Sequence, residues 1–227
     1  MSSPPPTSAS STTKARILLV DDHRMVLEGY SFMLNSQPDL RVCGAAATAA
    51  EALSLIEKER PDLVITDLTM TGRGGLDLIK DVMALFPETK MLVCSMHDEM
   101  LYASRAMQAG AKGYLMKDAD GPTFLAAVRS VLSGQRYMSE RLAAKVLESF
   151  GKTQPRGSTS PLENLSDREF EVFRMFGEGK TAKEIAAQLN LSPKTVSVHR
   201  DHIKEKLGFS TSAEMIRQAV RHVESQE

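Results

Sequence analysis

Five side chains hold the residue types needed to take up and keep an anionic group: Asp21, Asp22, Asp67, Ser95 and Lys117. Asp67 follows the continuous apolar run Leu63-Val64-Ile65, which is bounded upstream by Pro61. A run of this kind suits a central parallel strand covered on both faces. Asp67 then lies at the carboxyl end of that strand, the edge at which open α/β sheets bind ligands and do chemistry. Asp21 and Asp22 directly follow Ile17–Val20 in the same way. If the first and third strands are neighbours, three carboxylates meet at one edge and repel one another unless a hard cation sits among them. Oxygen ligands with room for water suit Mg2+. Such a cation would shield the approach of an anionic phosphoryl donor to an anionic nucleophile. Ser95 ends the fourth apolar run with a hydroxyl, and Lys117 ends the fifth with an ammonium able to pair with phosphoryl oxygens. Singly, each is an ordinary loop residue. Together they occupy the ends of four different strands, and Asp67 is read as a phosphoryl acceptor.

The elements that must position these groups alternate along the chain. Short apolar runs at Ile17–Val20, Val42–Ala46, Leu63–Leu68, Met91–Ser95 and Gly113–Met116 are interleaved with helical periods. Those helices are predicted over 24–35, 49–59, 76–85, 99–108 and 122–133. Five strand and helix pairs imply one parallel sheet with helices on both faces, because parallel strands require crossovers. This is a doubly wound α/β domain, assigned to residues 16–135. Residues 1–15, rich in Ser, Pro and Thr, read as a disordered tail. A further helix over 137–150 carries Leu142, Val146 and Phe150 at fourfold spacing, and residues 151–162 read as a flexible linker, so that 136–162 joins two domains.

Beyond the linker, over 163–227, nothing resembles a strand. Helices are predicted over 166–176, 181–189, 193–207 and 213–222. Three open with capping boxes, Ser166-x-x-Glu169, Thr181-x-x-Glu184 and Thr211-x-x-Glu214, and the other opens with Ser192-Pro193. Acids and bases balance in this half, so any affinity for nucleic acid must come from placement. The helix at 193–207 concentrates Lys194, Arg200, Lys204 and Lys206 against Asp201 and Glu205, and at about 1.5 Å per residue it is about 22 Å long, enough to cross a major groove. Asn190-Leu191-Ser192 before it is a turn of helix-turn-helix length. Ile185, Ala186, Leu189, Val196, Ile203 and Leu207 form the expected inward face. The competing reading of this half is a four-helix interaction module with a solvated charged face.

The totals bound the function classes. The chain has 227 residues, 42% hydrophobic and 25% charged, with a net charge of −1. That is an ordinary globular composition with enough chain for two cores. Cys43 and Cys94 lie in apolar runs and read as buried thiols of a reducing compartment. No stretch reaches the length of a membrane span, and the amino-terminal residues lack the apolar core of a signal peptide, so a cytoplasmic location is expected.

Residues 16–135 resemble the receiver domain of two-component response regulators, a flavodoxin-like fold, in Asp21-Asp22, Asp67, Ser95 and Lys117. The resemblance implies that a sensor histidine kinase phosphorylates Asp67. It also implies that Asp21, Asp22, Asp67 and the carbonyl of Thr69 bind Mg2+, and that Ser95 and Lys117 hold the phosphoryl group. Tyr114 matches the aromatic that switches with Ser95, while Thr69 and His97 match positions that tune the lifetime of the phosphoryl group. One departure is that Met70-Thr71-Gly72-Arg73-Gly74-Gly75 has no proline four residues after the acceptor, so a looser loop is expected. The segment from Leu165 to Gly208 closely resembles the LuxR-type DNA-binding domain, and the whole chain looks like a response regulator of the NarL/LuxR family. By that resemblance Ser197, Val198 and Asp201 face base edges. Lys183, Lys194, Thr195, His199, Lys204 and Lys206 are candidates for phosphate contacts. The implied partners are double-stranded promoter DNA, the sensor kinase, RNA polymerase and a second copy of the chain.

Two rivals remain in view. A phosphohydrolase of the haloacid-dehalogenase type shares the strand-end aspartate and Mg2+ but needs an acid two residues on, where this chain has Thr69. A receiver controlled by partner binding without phosphorylation would not need the full set of acids, hydroxyl and lysine. The expected mechanism is a population shift in which Asp67 draws Ser95 and Tyr114 inward, favouring a dimer or freeing the recognition helix from the receiver.

Overall fold

The computed structural model describes residues 14–70, 73–97, 99–144 and 161–224. Its first half is a five-stranded parallel sheet in the order β2-β1-β3-β4-β5. The strands are β1 (Ala15–Val20), β2 (Leu40–Ala46), β3 (Leu63–Thr66), β4 (Lys90–Ser95) and β5 (Gly113–Met116). Between and after them run α1 (Arg24–Asn35), α2 (Ala49–Glu59), α3 (Gly75–Leu85), α4 (Glu99–Ala109) and α5 (Gly121–Leu132).

Successive strand residues point to opposite faces, and the core divides accordingly. Ile17, Leu19, Leu63, Ile65, Leu92 and Leu115 pack with Leu34 of α1 and Phe124, Val128 and Val131 of α5. Leu18, Val20, Val64, Met91, Val93 and Tyr114 pack on the other face with residues of α2, α3 and α4. Both faces of β1 and β3 are therefore dry, which is why their sequences read as unbroken apolar runs.

The register fixes the site. Val20 pairs with Thr66 and Thr66 with Val93, while Ser95 pairs with Met116, so the residues that follow each strand end lie side by side. The strand at 63 stops at Thr66, two residues short of the expected Leu68, and Asp67 is the first residue beyond it. The backbone N–H of Asp67 still donates to Val20 O at 2.9 Å.

Helix starts follow the predicted caps. Thr48 Oγ1 accepts from Glu51 N, but the Glu51 carboxylate reaches one residue further back, to Ala47 N at 2.9 Å. Glu214 does the same, bonding Ser210 N while its own N–H donates to Thr211 Oγ1. Ser166–Glu169 and Thr181–Glu184 form full reciprocal boxes.

A segment that differs from expectation follows α5. Tyr137 opens no helix: it forms a parallel bridge with Gly113, its carbonyl accepting from Tyr114 N at 3.1 Å and its N–H donating to Lys112 O at 2.9 Å. Helix is present over 140–144. The unpaired edge of β5 explains the difference, because backbone groups there gain partners that a helix starting at 137 would withhold. Val146, Phe150 and most of the expected linker lie outside the described residues, as do residues 1–13 of the expected tail.

A 3-10 turn at Pro161–Asn164 leads into four helices, α6 (Asp167–Gly177), α7 (Ala182–Gln188), α8 (Pro193–Leu207) and α9 (Ser212–Glu224). Ile185, Ala186, Leu189, Val196 and Ile203 are buried as expected and Leu207 is half-buried. Among the described residues no helix is long and apolar enough to cross a membrane. Both cysteines are free thiols; Cys94 is buried and Cys43 only half-buried.

Of the segment expected to be loose, Thr71 and Gly72 lie outside the described residues, while Gly75 is closely packed. A Cβ on Gly75 would lie 2.0 Å from Asp67 O and 2.9 Å from Leu68 Cα. Gly75 N also donates to Leu68 O at 2.8 Å. Glycine is thus what lets the start of α3 press against the backbone of Asp67 and Leu68. On the exposed side of α1, a Cβ on Gly29 would meet nothing within 4 Å. We expect Gly75→Ala to lower stability by about 1–3 kcal/mol through overpacking. Gly29→Ala should raise it by about 0.5–1 kcal/mol through helix propensity. Denaturant unfolding of the two variants checks this, and a loss of stability at position 29 or none at position 75 would contradict the packing described.

Candidate functional site

At the carboxyl edge of the sheet, β1, β3, β4 and β5 each deliver one group to the same spot. Asp21 and Asp67 are buried at 4% and 5% exposure, and Ser95 at 0%. The Lys117 ammonium lies between the two acids, 2.6 Å from Asp21 Oδ2 and 2.9 Å from Asp67 Oδ2. Burial alone would lower the pKa of this lysine. Its hydrogen bonds to Asp21 and Asp67 outweigh that and hold it above the ordinary lysine value. It is therefore a fixed positive charge beside Asp67. The second Asp67 oxygen accepts from Leu68 N at 2.6 Å. Lys117 is held in turn by its own N–H, which donates to Ser95 O at 2.9 Å.

Ligand atoms of Asp21, Asp22, His23 and Asp67 lie within 4.8 Å of one another. Three carboxylates make this donor set hard and oxygen-rich, which fits a divalent cation of the Mg2+ type. The sequence reading did not include His23. Its Nδ1 is 3.1 Å from Asp21 Oδ1 and 3.0 Å from Asp22 Oδ1, and its N–H donates to Asp21 Oδ1 at 2.9 Å. Its position directly after Asp-Asp was the available signal.

The remaining predicted residues surround Asp67 on the α4 side. The Thr69 hydroxyl is hydrogen-bonded to His97 Nε2. His97 N donates to Ser95 Oγ at 3.4 Å, and Tyr114 OH donates to His97 O at 2.8 Å. Tyr114 is fully buried. The ring expected to move inward thus already lies inside, anchored on the loop between β4 and α4. Thr71 and Gly72 lie outside the described residues. Beneath the site, Tyr30 OH and Cys94 Sγ are 3.0 Å apart, and burial pushes the Cys94 thiol up to about 11, so it stays a neutral packing group.

The second set of candidates lies on α7 and α8. Asn190 has a left-handed backbone (φ 53°) that turns the chain between them. Ser192 Oγ caps α8 by accepting from Thr195 N at 3.0 Å, and Pro193 occupies the first turn. Lys183, Lys194, Val198 and Asp201 are exposed, with Val198 at 45%, while Thr195, Ser197, His199 and Lys204 are half-buried. An exposed valine amid polar neighbours suits contact with a base methyl group better than a solvated face. Lys206 is drawn elsewhere: it pairs at 2.6 Å with Glu169, which is buried at the start of α6. Lys204 pairs with Asp201 at 3.0 Å. Of the expected phosphate contacts, Lys183 and Lys194 are exposed with no ion pair among the described residues.

Comparison with known proteins follows the same division. Residues 17–129 match the response regulator receiver domain and residues 163–219 the luxR family of bacterial regulatory proteins. The oxygen regulatory protein NreC of Staphylococcus aureus is 35% identical over 210 residues, which is 91% of this chain and 97% of NreC. The chain belongs to the NarL/LuxR family of response regulators. It is a transcription regulator with a receiver and a LuxR-type DNA-binding domain, controlled by phosphorylation. A LuxR-family response regulator from Aurantimonas sp. SI85-9A1 superimposes with a TM-score of 0.58 at 35% identity, covering 62% of this chain and 100% of that one. RcsB from Salmonella enterica serovar Typhimurium, solved bound to promoter P1flhDC in the presence of phosphomimetic BeF3-, gives 0.63 at 25% identity and covers 91% of this regulator and 98% of RcsB.

Burial, followed by the nearby Arg174 charge, pushes the His97 imidazole down to about 4. In the folded regulator this ring is neutral at pH values where an unfolded histidine, near 6.5, binds a proton. Between these values the unfolded chain carries more protons, so stability is lost as pH falls from about 6.5 towards 4 and is unaffected above that window. Thermal unfolding across the window should show a steeper fall for the native chain than for His97→Asn, and parallel profiles would contradict the buried neutral ring.

Proposed function

We propose that Asp67 is the residue that takes the phosphoryl group and that α8 carries the response to promoter DNA. The observation that supports this most is the closure of Asp67, Asp21 and Lys117 into one buried cluster at the ends of three strands. In the reaction, an Asp67 oxygen forms a bond to phosphorus as the phosphorus–nitrogen bond of a phosphohistidine on a sensor kinase breaks. The Lys117 ammonium offsets the charge on the incoming oxygens and holds the carboxylate in place. The Ser95 hydroxyl is the nearby neutral donor for a phosphoryl oxygen. Asp21, Asp22 and Asp67, with the Thr69 carbonyl, would hold Mg2+, which supplies charge neutralisation between donor and acceptor. Thr69, where a phosphohydrolase of the haloacid-dehalogenase type needs an acid, engages His97 and leaves no general acid for turnover.

The DNA-binding reading rests on the exposed face of α8. Ser197, Val198 and Asp201 face base edges, Asp201 being suited to accept from a cytosine amino group. Lys183 and Lys194 contact phosphates, with Thr195, His199 and Lys204 beside them. Lys206 is the weakest of these candidates because Glu169 engages it. The active species on DNA is a pair of chains, and the consequence of binding is altered recruitment of RNA polymerase. RcsB, solved on promoter DNA with a phosphomimetic, supports this reading by similarity.

Acetyl phosphate with Mg2+ should label the native chain and leave Asp67→Asn unlabelled in intact-mass spectrometry; equal labelling of both would remove Asp67 as the acceptor. Lys194→Ala should weaken binding across all DNA sequences and reduce the slope of log K against log salt by about 1, measured by fluorescence anisotropy. An unchanged slope would take Lys194 off the phosphate backbone.

A further inference from the structure

The helix assigned to DNA, α8, is seated on its own domain by a narrow strip of apolar surface. Of its fifteen residues only Val196 and Ile203 are buried outright, with Leu207 half-buried at its end. At 3.6 residues per turn these three fall within about 40° of one another around the helix axis. They make a single line of contact, about which a helix can roll. Val198 and Asp201 are exposed and lie on the far side from that line. At about 10 Å from the line, a roll of about 10° would carry their side chains about 2 Å, more than a hydrogen bond to a base edge tolerates.

The first turn of α6 grips the helix pair away from that line, at two points. Lys206 sits about 80° round from the line, and its ammonium donates to Glu169 Oε2 at 2.6 Å. The same oxygen accepts from Ser166 N at 2.7 Å, so the carboxylate is fixed to the start of its own helix. His202 Nδ1 stands 3.7 Å from the other oxygen. Glu169 is buried, and a buried carboxylate is costly unless it is paired, so its bond to Lys206 is not a loose surface pair. The neighbouring Arg168 donates to Leu189 O at 2.7 Å, where α7 ends, and is itself held by Glu171 at 2.7 Å.

We propose that Lys206 is a positioning residue for sequence readout: clamped by Glu169, it stops α8 from rolling and holds Val198 and Asp201 in register with base edges, making no phosphate contact of its own. Arg168 braces the other end of the pair through the Leu189 carbonyl. The proposal deepens the assignment of α8 as the base-reading helix and rests on it. It separates affinity from specificity. Loss of a phosphate contact weakens binding to every sequence alike and lowers its salt dependence. Loss of a positioning residue weakens only the complexes in which bases are read, and leaves the number of neutralised phosphates as it was.

The test measures the full chain by fluorescence anisotropy on two DNA probes over a range of salt. One probe is a fragment that the native chain selects from a random-sequence library, and the other is a shuffled fragment of the same composition. The variants are Lys206→Gln, Lys206→Arg, Glu169→Gln, and Val198→Ala combined with Asp201→Ala. Glutamine at 169 removes the charge and keeps the capping box. We expect both glutamine variants to lose at least about 5-fold in preference for the selected probe, with the salt slope unchanged, and Lys206→Arg to keep the native preference. Partial unfolding weakens both probes equally, so the ratio reports only on the seated helix. Equal weakening on both probes with a slope reduced by about 1 in Lys206→Gln, or tighter binding of both probes by Glu169→Gln, shows a lysine that touches phosphate and overturns the proposal. An unchanged preference in either glutamine variant overturns it as well. An unchanged preference in the doubly substituted chain overturns the assignment of α8 as the base-reading helix, and the proposal with it.

Discussion

The placement of one ammonium between two buried carboxylates is the constraint on which the regulator depends. Asp21 and Asp67 follow neighbouring strands, so the β1–β3 pairing makes them adjacent and forces their charges together. Without Lys117 the pair would be a repulsive, desolvated cluster. With it, the repulsion between the two is offset, and Asp22 beside them adds further oxygens for a cation. The same register that buries the apolar runs of β1 and β3 therefore builds the site, and neither can be changed without the other.

From that cluster, structure runs outward through the α4 side. Thr69, His97 and Tyr102 form successive contacts ending on Phe170 and Arg105. The apolar core under α3 and α4 continues without a break into Leu165, Phe170 and Phe173 of the helical domain. The strand-end cluster and the packing of α6 are therefore linked by one continuous set of side chains. Packed cores of this kind have discrete alternatives more readily than gradual ones, which gives a local charge change a route to a rigid-body response.

Much of this was legible in the residues. Continuous apolar runs ending in Asp, Ser and Lys revealed the parallel sheet and the four strand-end groups, because burial on both faces leaves a strong composition signal, whereas the neighbouring of the first and third strands entered only as a condition. The caps at Thr48, Ser166, Thr181 and Ser192 located helix starts to within a residue. Tyr137 was misread as helical because nothing local reveals that the edge of β5 needs a partner. The glycines at 74 and 75 were read as loosening the acceptor loop, since their close approach to Asp67 and Leu68 is a property of the tertiary packing. Lys206 looked free because Glu169, its partner, lies 37 residues away.

In the proposed function, phosphorylation of Asp67 sets the affinity of α8 for DNA. The direct measurement is the dissociation constant of the full chain for a promoter fragment, with and without beryllofluoride and Mg2+, in the native protein and in Asp67→Asn. Tighter binding by about 5- to 150-fold is expected in the native chain only. The same gain in Asp67→Asn, or none in the native chain, would contradict it.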